Sequence, residues 1–285
     1  MPQIKIELRL TSYLTKNNYL CTLKNSLLMD EEEEFIGGEE NIQDKLQSFL
    51  GKIPENFSVL EEEIDIDTQM EYFKFAKKLS RENDTDIIEK ADLLYDESVS
   101  LDEKKEILVQ LAGIDEPKAF RIIEKYKEDQ QGKELFEWTA MAFQESRMLI
   151  QGSLLEENQV FISTGMGGKG QKLRYFVVLI SENDEGFTQA QAKLLKSEVE
   201  YSFANSDSEI EEFNIAGKFV TLTALIPLVS NIKQLFATAI EECNQLGNFV
   251  KENFIVTNVK KLSVEEIEEF LNNTDEDDEI NISIE

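Results

Sequence analysis

The stretch Ile162-Ser163-Thr164-Gly165-Met166-Gly167-Gly168-Lys169-Gly170-Gln171-Lys172-Leu173-Arg174 gathers four glycines and three cations. Glycines let a backbone approach an anion closely, and Lys and Arg add charge-assisted donors. No acid occurs from Asn158 to Ser181, in a chain where acids abound. Gly165, Gly167, Gly168, Lys169, Gly170, Lys172 and Arg174 are therefore candidates for contact with a phosphate, a nucleotide, RNA or another partner. The stretch is not a Walker loop, because Lys169 is followed by Gly170 and the residues behind it read as a strand. Nor is it a dinucleotide fingerprint, for the same reason. A hairpin loop whose cations answer nearby carboxylates accounts for the same residues.

Other chemistry is restricted. None of the 285 residues is histidine. Ser-His-Asp and Cys-His catalysis and His-built metal sites are thereby excluded. Cys243 lies on an apolar helix face with no histidine to activate it. The acid clusters Glu31–Glu34, Glu61–Glu63 and Asp275–Glu279 lack the spacing of a calcium loop and read as solvated charge. Glu145 and Arg147 are either an interior polar pair or surface residues. Asp and Glu pairs can serve as acid and base, but nothing picks one out. The expectation is no catalytic residue, no metal and no cofactor.

The chain carries 58 Asp and Glu against 29 Lys and Arg, a formal charge of -29. Such charge opposes direct nucleic-acid binding and contact with anionic membranes, and it attracts basic proteins. An acidic surface can also imitate nucleic acid for such a partner. The acid is uneven. Asp30–Glu40 holds seven acids and Ser263–Glu285 ten, with no base in either. Phe161–Lys261 holds twelve acids and ten bases. With 41% hydrophobic residues and 18 Phe, the chain can still build cores. No apolar run is long enough to span a bilayer, and MPQIKIELRL lacks the continuous apolar segment of a signal peptide. Cys21 and Cys243 read as buried reduced thiols, pointing to a cytoplasmic setting, with a bridge between them left open.

The positioning elements follow from periodicity. Residues 1-80 suggest a small α+β unit: a strand over Ile4–Leu10, a second over Tyr19–Leu23 after Asn17-Asn18, the acidic loop, a helix with Ile42, Leu46, Phe49 and Leu50, and a strand over Val59–Ile66. Residues 84-152 are helical. Thr85 is an expected cap, Ser100-x-x-Glu103 a capping box, Gly113 a stop, Pro117 a first-turn residue, and Gly132 precedes a long helix holding Trp138. KKEILVQLAGIDEPKAFRIIEKYKE and ELFEWTAMAFQESRMLI resemble HEAT-type repeats, and the resemblance implies a stacked helical-hairpin surface that holds other proteins. A plain four-helix bundle fits the same pattern.

Residues 159-271 read as strands Gln159–Ser163 and Leu173–Ile180, a helix opened by Thr188-x-x-Gln191, a hairpin Ile210–Ile215 with Phe219–Ile226, a helix Asn231–Leu246 and a strand Phe254–Val259. The β-α-β-β-α-β order from Leu173 resembles a ferredoxin-like sandwich, with an antiparallel sheet and helices on one face. A short helix, Val264–Leu271, then leads to an acidic disordered tail, 272-285. The fold class is α+β. The functional expectation is a non-enzymatic adaptor, inhibitor or other regulatory protein whose acidic surface binds a basic partner. The alternative is a phosphate-, nucleotide- or RNA-responsive domain using loop 165-174.

Overall fold

A computed structural model of the chain describes residues 5–7, 11–16, 19–22, 57–80, 83–155 and 160–280. The acidic run at 30–40, the helix expected over 42–50 and the Asn17-Asn18 turn lie outside the described residues. The elements run β1 (Lys5–Glu7), β2 (Thr11–Lys16), β3 (Tyr19–Thr22), β4 (Ser58–Val59), α1 (Ile66–Lys78), α2 (Asp84–Lys90), a 3-10 turn (Ala91–Tyr95), α3 (Leu101–Ala112), α4 (Pro117–Asp129), α5 (Phe136–Leu155), β5 (Val160–Ser163), β6 (Gly168–Lys169), β7 (Lys172–Ser181), α6 (Gln189–Ala204), β8 (Glu209–Ala216), β9 (Phe219–Pro227), α7 (Ile232–Gln245), β10 (Val250–Thr257) and α8 (Val264–Ile280). The protein is mixed α+β. It divides into two compact units, Leu8–Leu173 and Met1–Glu7 with Arg174–Glu285. The division falls within β7 rather than in a linker, because β7 begins in one hairpin and continues into the sheet of the other unit.

In the Leu8–Leu173 unit, four strands pair in the order β3-β2-β5-β4, with β4 parallel to β5 and the rest antiparallel. Helices α1, α2 and α3 begin where the short polar side chains of Asp65, Asn83 and Ser100 satisfy orphan amides. The Ser100 hydroxyl accepts from the Glu103 amide at 3.2 Å, and Gly113 closes α3. Pro117 opens α4 without losing a bond. The cap of α2 is Asn83, whose side chain accepts from the Thr85 amide at 3.0 Å, not Thr85 itself. Asparagine is the stronger cap, so it takes the position two residues earlier. Helix α5 packs on α1, α3 and α4. There Trp138 is buried, edge-on to Tyr72 (5.1 Å) and Phe75 (5.5 Å).

The other unit holds a sheet of order β1-β10-β7-β9-β8, with β1 parallel to β10 and the other pairs antiparallel. Every residue of β7 from Tyr175 to Ser181 is buried, so both faces of this strand are covered. Strand β8 ends the order and carries Glu209, Glu211 and Glu212, charges that discourage edge pairing. Thr188 and Gln191 form a reciprocal capping box for α6. Ile232, Phe236, Ala239, Ile240 and Cys243 form the buried stripe of α7, while Leu235 is only half-buried. Phe236 meets Phe203 of α6 and Phe254 of β10, each at 5.6 Å.

The strand expected over Val59–Ile66 is confined to Ser58–Val59, because the 60–64 backbone bonds to the 162–165 turn and Asp65 caps a helix from Ile66. A second expectation is corrected at the C-terminus. Helix α8 runs to Ile280 instead of stopping at Leu271, so most of the expected tail is helical. Ser263 accepts from the Glu266 amide, Glu266 accepts from that of Ser263, and no Gly or Pro interrupts the segment. Among the described residues, no helix is long and apolar enough to cross a membrane.

Phe236 is fully buried among aromatic rings. Phe236→Ala is expected to lower stability by about 3–5 kcal/mol in urea unfolding. A loss below about 1 kcal/mol would contradict this core assignment.

Candidate functional site

The glycine-rich turn is a seat for chain, built by close backbone packing. Thr164 to Gly168 are buried, while Lys169 and Gly170 are exposed and Lys172 is half-buried. The segment 59–64 crosses this turn and is tied to it by amides. Val59 donates to the Gly170 carbonyl (3.0 Å), Leu60 to that of Ile162 (2.9 Å) and Ile64 to that of Gly165 (3.1 Å). Gln69 joins both sides. Its Nε2 donates to the carbonyls of Ile64 (2.8 Å) and Thr164 (3.1 Å), and its Oε1 accepts from the Ser163 hydroxyl.

This packing explains the glycines. Gly167 has φ 65°, and a Cβ there would lie 2.7 Å from the Glu61 carbonyl oxygen and closer still to that of Glu62. A Cβ on Gly168 would collide with the Lys172 carbonyl. Gly170 has φ 62° at the first position of the two-residue β6–β7 turn, with open space around it. Gly165 and Gly170 turn carbonyls, not amides, to the 59–64 segment. Of the three candidate cations, Arg174 belongs to the other unit and forks onto Glu211, with Nε 2.6 Å and Nη2 3.0 Å from its oxygens. Lys169 is the exposed one.

Glu145 and Cys243 are held inside the cores. Glu145 is buried and accepts a 2.6 Å hydrogen bond from the Tyr72 hydroxyl, inside a packed aromatic core. Arg147 is half-buried, 6.0 Å from the Phe143 ring. Cys243 is a free buried thiol, so no bridge to Cys21 forms. Burial, then the nearby Glu198 and Glu242 charges, pushes the Cys243 thiol up to about 12, far from a nucleophile at neutral pH. Among the described residues, no group of three or more His, Cys, Asp or Glu is placed to hold a metal ion.

One acidic stretch escapes a reading by charge runs. From Asn83 to Glu103, eight acids (Asp84, Asp86, Glu89, Asp92, Asp96, Glu97, Asp102, Glu103) face one base, Lys90, and all eight are exposed. Helical spacing spreads them between apolar residues, so no block of like charge shows in the text. The Ser98 hydroxyl and then its amide hold Asp96 below its usual range, keeping it ionised. Beside this face opens a cleft of about 600 Å³, lined by the start of α3 and the 132–138 segment, with Trp138 in its wall.

The chain matches no protein-family model and no curated protein.

Gly167→Ala combines a left-handed backbone with a backbone clash and is expected to cost more than about 2 kcal/mol, against about 1 kcal/mol for Gly170→Ala. Urea midpoints for the two variants check the order, and equal losses would refute the packing account. In a Cys21→Ser background, native Cys243 is expected to react with a thiol reagent only as fast as the protein opens. Prompt labelling in buffer would show the thiol to be accessible.

Proposed function

We propose that this is a non-enzymatic interaction protein that holds a basic protein on its acidic surface, as an adaptor or inhibitor. The observation that carries this reading is the Asn83–Glu103 face, where eight exposed carboxylates meet one lysine. Four cations outside it are engaged by acids: Lys105 by Glu71, Lys127 by Glu62, Arg174 by Glu211 and Lys261 by Glu212. The 83–103 face therefore projects a negative field toward solvent, which steers positively charged partners. A HEAT-like arrangement of α3, α4 and α5 would present such a face, and their mutual packing supports it. The strand order β10-β7-β9-β8, with α6 and α7 between the strands in sequence, supports a ferredoxin-like reading of the second unit. A cytoplasmic setting agrees with the free thiol of Cys243.

The full chain, immobilised, is expected to retain basic proteins from a lysate at about 0.01 M salt and release most of them near 0.15 M, as the Debye length falls from about 30 to about 8 Å. Retention of mainly acidic proteins, or indifference to salt, would sink the proposal.

A further inference from the structure

We propose that the cleft beside α3 is the seat for a basic segment of that partner, receiving an arginine or lysine together with an adjacent apolar side chain. The inference rests on the acidic-surface reading and adds a location and a recognition chemistry to it. A volume of about 600 Å³ suits one or two large side chains. Four carboxylates line the cleft, Glu71, Asp102, Glu134 and Glu137, against two ammonium groups. Asp102 also belongs to the 83–103 face, so the field that steers a partner leads into the cleft.

The cleft already binds one cation from its own chain. The Lys105 ammonium lies 2.9 Å from a Glu71 oxygen and 4.4 Å from the centre of the Trp138 ring. Carboxylate and aromatic face together are the means by which proteins recognise basic side chains. Lys105 fills only part of that capacity, because Asp102 and Glu134 are exposed on the same cleft. An apolar contact is present as well. Leu101 is 41% exposed at the first position of α3, and half-buried Phe136 lies in the same lining. A leucine facing water there contributes little to the core, yet it suits the aliphatic stem of Arg or Lys and an apolar neighbour. Carboxylates around an apolar floor thus fit a basic, partly apolar peptide segment.

Trp138, the only tryptophan in the chain, lies in the cleft wall beneath Lys105. The test titrates the full chain at low salt with a short synthetic peptide of alternating arginine and leucine, read by Trp138 fluorescence. Saturable change is expected. The exposed double variant Asp102→Asn with Glu134→Gln is expected to weaken binding about three- to tenfold, and Leu101→Ser about threefold, with unchanged melting curves. Lys105→Met keeps the packing over Trp138 but releases Glu71, so it is expected to tighten binding about two- to fivefold. A control pair on the other unit, Asp184→Asn with Glu185→Gln, is expected to change nothing. If the peptide binds in a salt-sensitive way but the cleft variants bind like the parent, the cleft is wrong and the acidic-surface reading stands. If the parent binds no arginine–leucine peptide, both fail.

Discussion

A surplus of carboxylates is the constraint under which this fold is assembled. Burying an ionised carboxylate is costly unless it is hydrogen-bonded, so acids must lie outside. Among the described residues, Glu145 is the one acid that is buried, and the Tyr72 hydroxyl meets it. Eight others lie where the helix backbone favours them. Asp67, Asp84, Asp86, Asp102, Glu103, Glu137, Glu265 and Glu266 occupy first turns of helices, where the dipole is positive. The cores are rich in aromatic rings, with Trp138 in one unit and Phe236 in the other. Lys105, Lys127 and Arg174 pair with Glu71, Glu62 and Glu211, and the 83–103 stretch keeps an excess of exposed acids.

The glycine-rich turn shows why a motif must be weighed with its neighbours. Glycines allow close approach, but the approaching group is the 59–64 backbone, about a hundred residues earlier in the chain. The same residue types would suit a phosphate if amides converged on open space. Here carbonyls of Gly165 and Gly170 are turned to the crossing segment, and Gln69 locks the two sides together.

Local signals in the sequence were reliable where a single interaction decides the structure. The Thr188–Gln191 box, the Ser100 cap, Pro117 and the stripe Ile232-Phe236-Ala239-Ile240-Cys243 all sit as their chemistry requires. The β-α-β-β-α-β order was legible for the same reason, since turns and periods switch cleanly from Lys172 to Thr257. What was not legible depends on distant partners. The parallel pairing of β1 with β10 joins segments far apart in the sequence. The burial of Thr164–Gly168 requires a segment from elsewhere. Helix α8 exceeded its expected length because composition argued for disorder while nothing in it breaks a helix. The cleft requires α3 and the 132–138 segment together, and neither carries a motif alone.

The acidic 83–103 stretch of the helical part is the proposed contact surface. Amide hydrogen exchange of the full chain, free and saturated with a basic protein retained at low salt, tests it directly. Added protection is predicted over 84–105 and 132–138, with 163–172 unchanged because that turn is already packed. Protection confined to 163–172 or to the β8 and β9 hairpin, with 84–105 unaffected, would contradict the account.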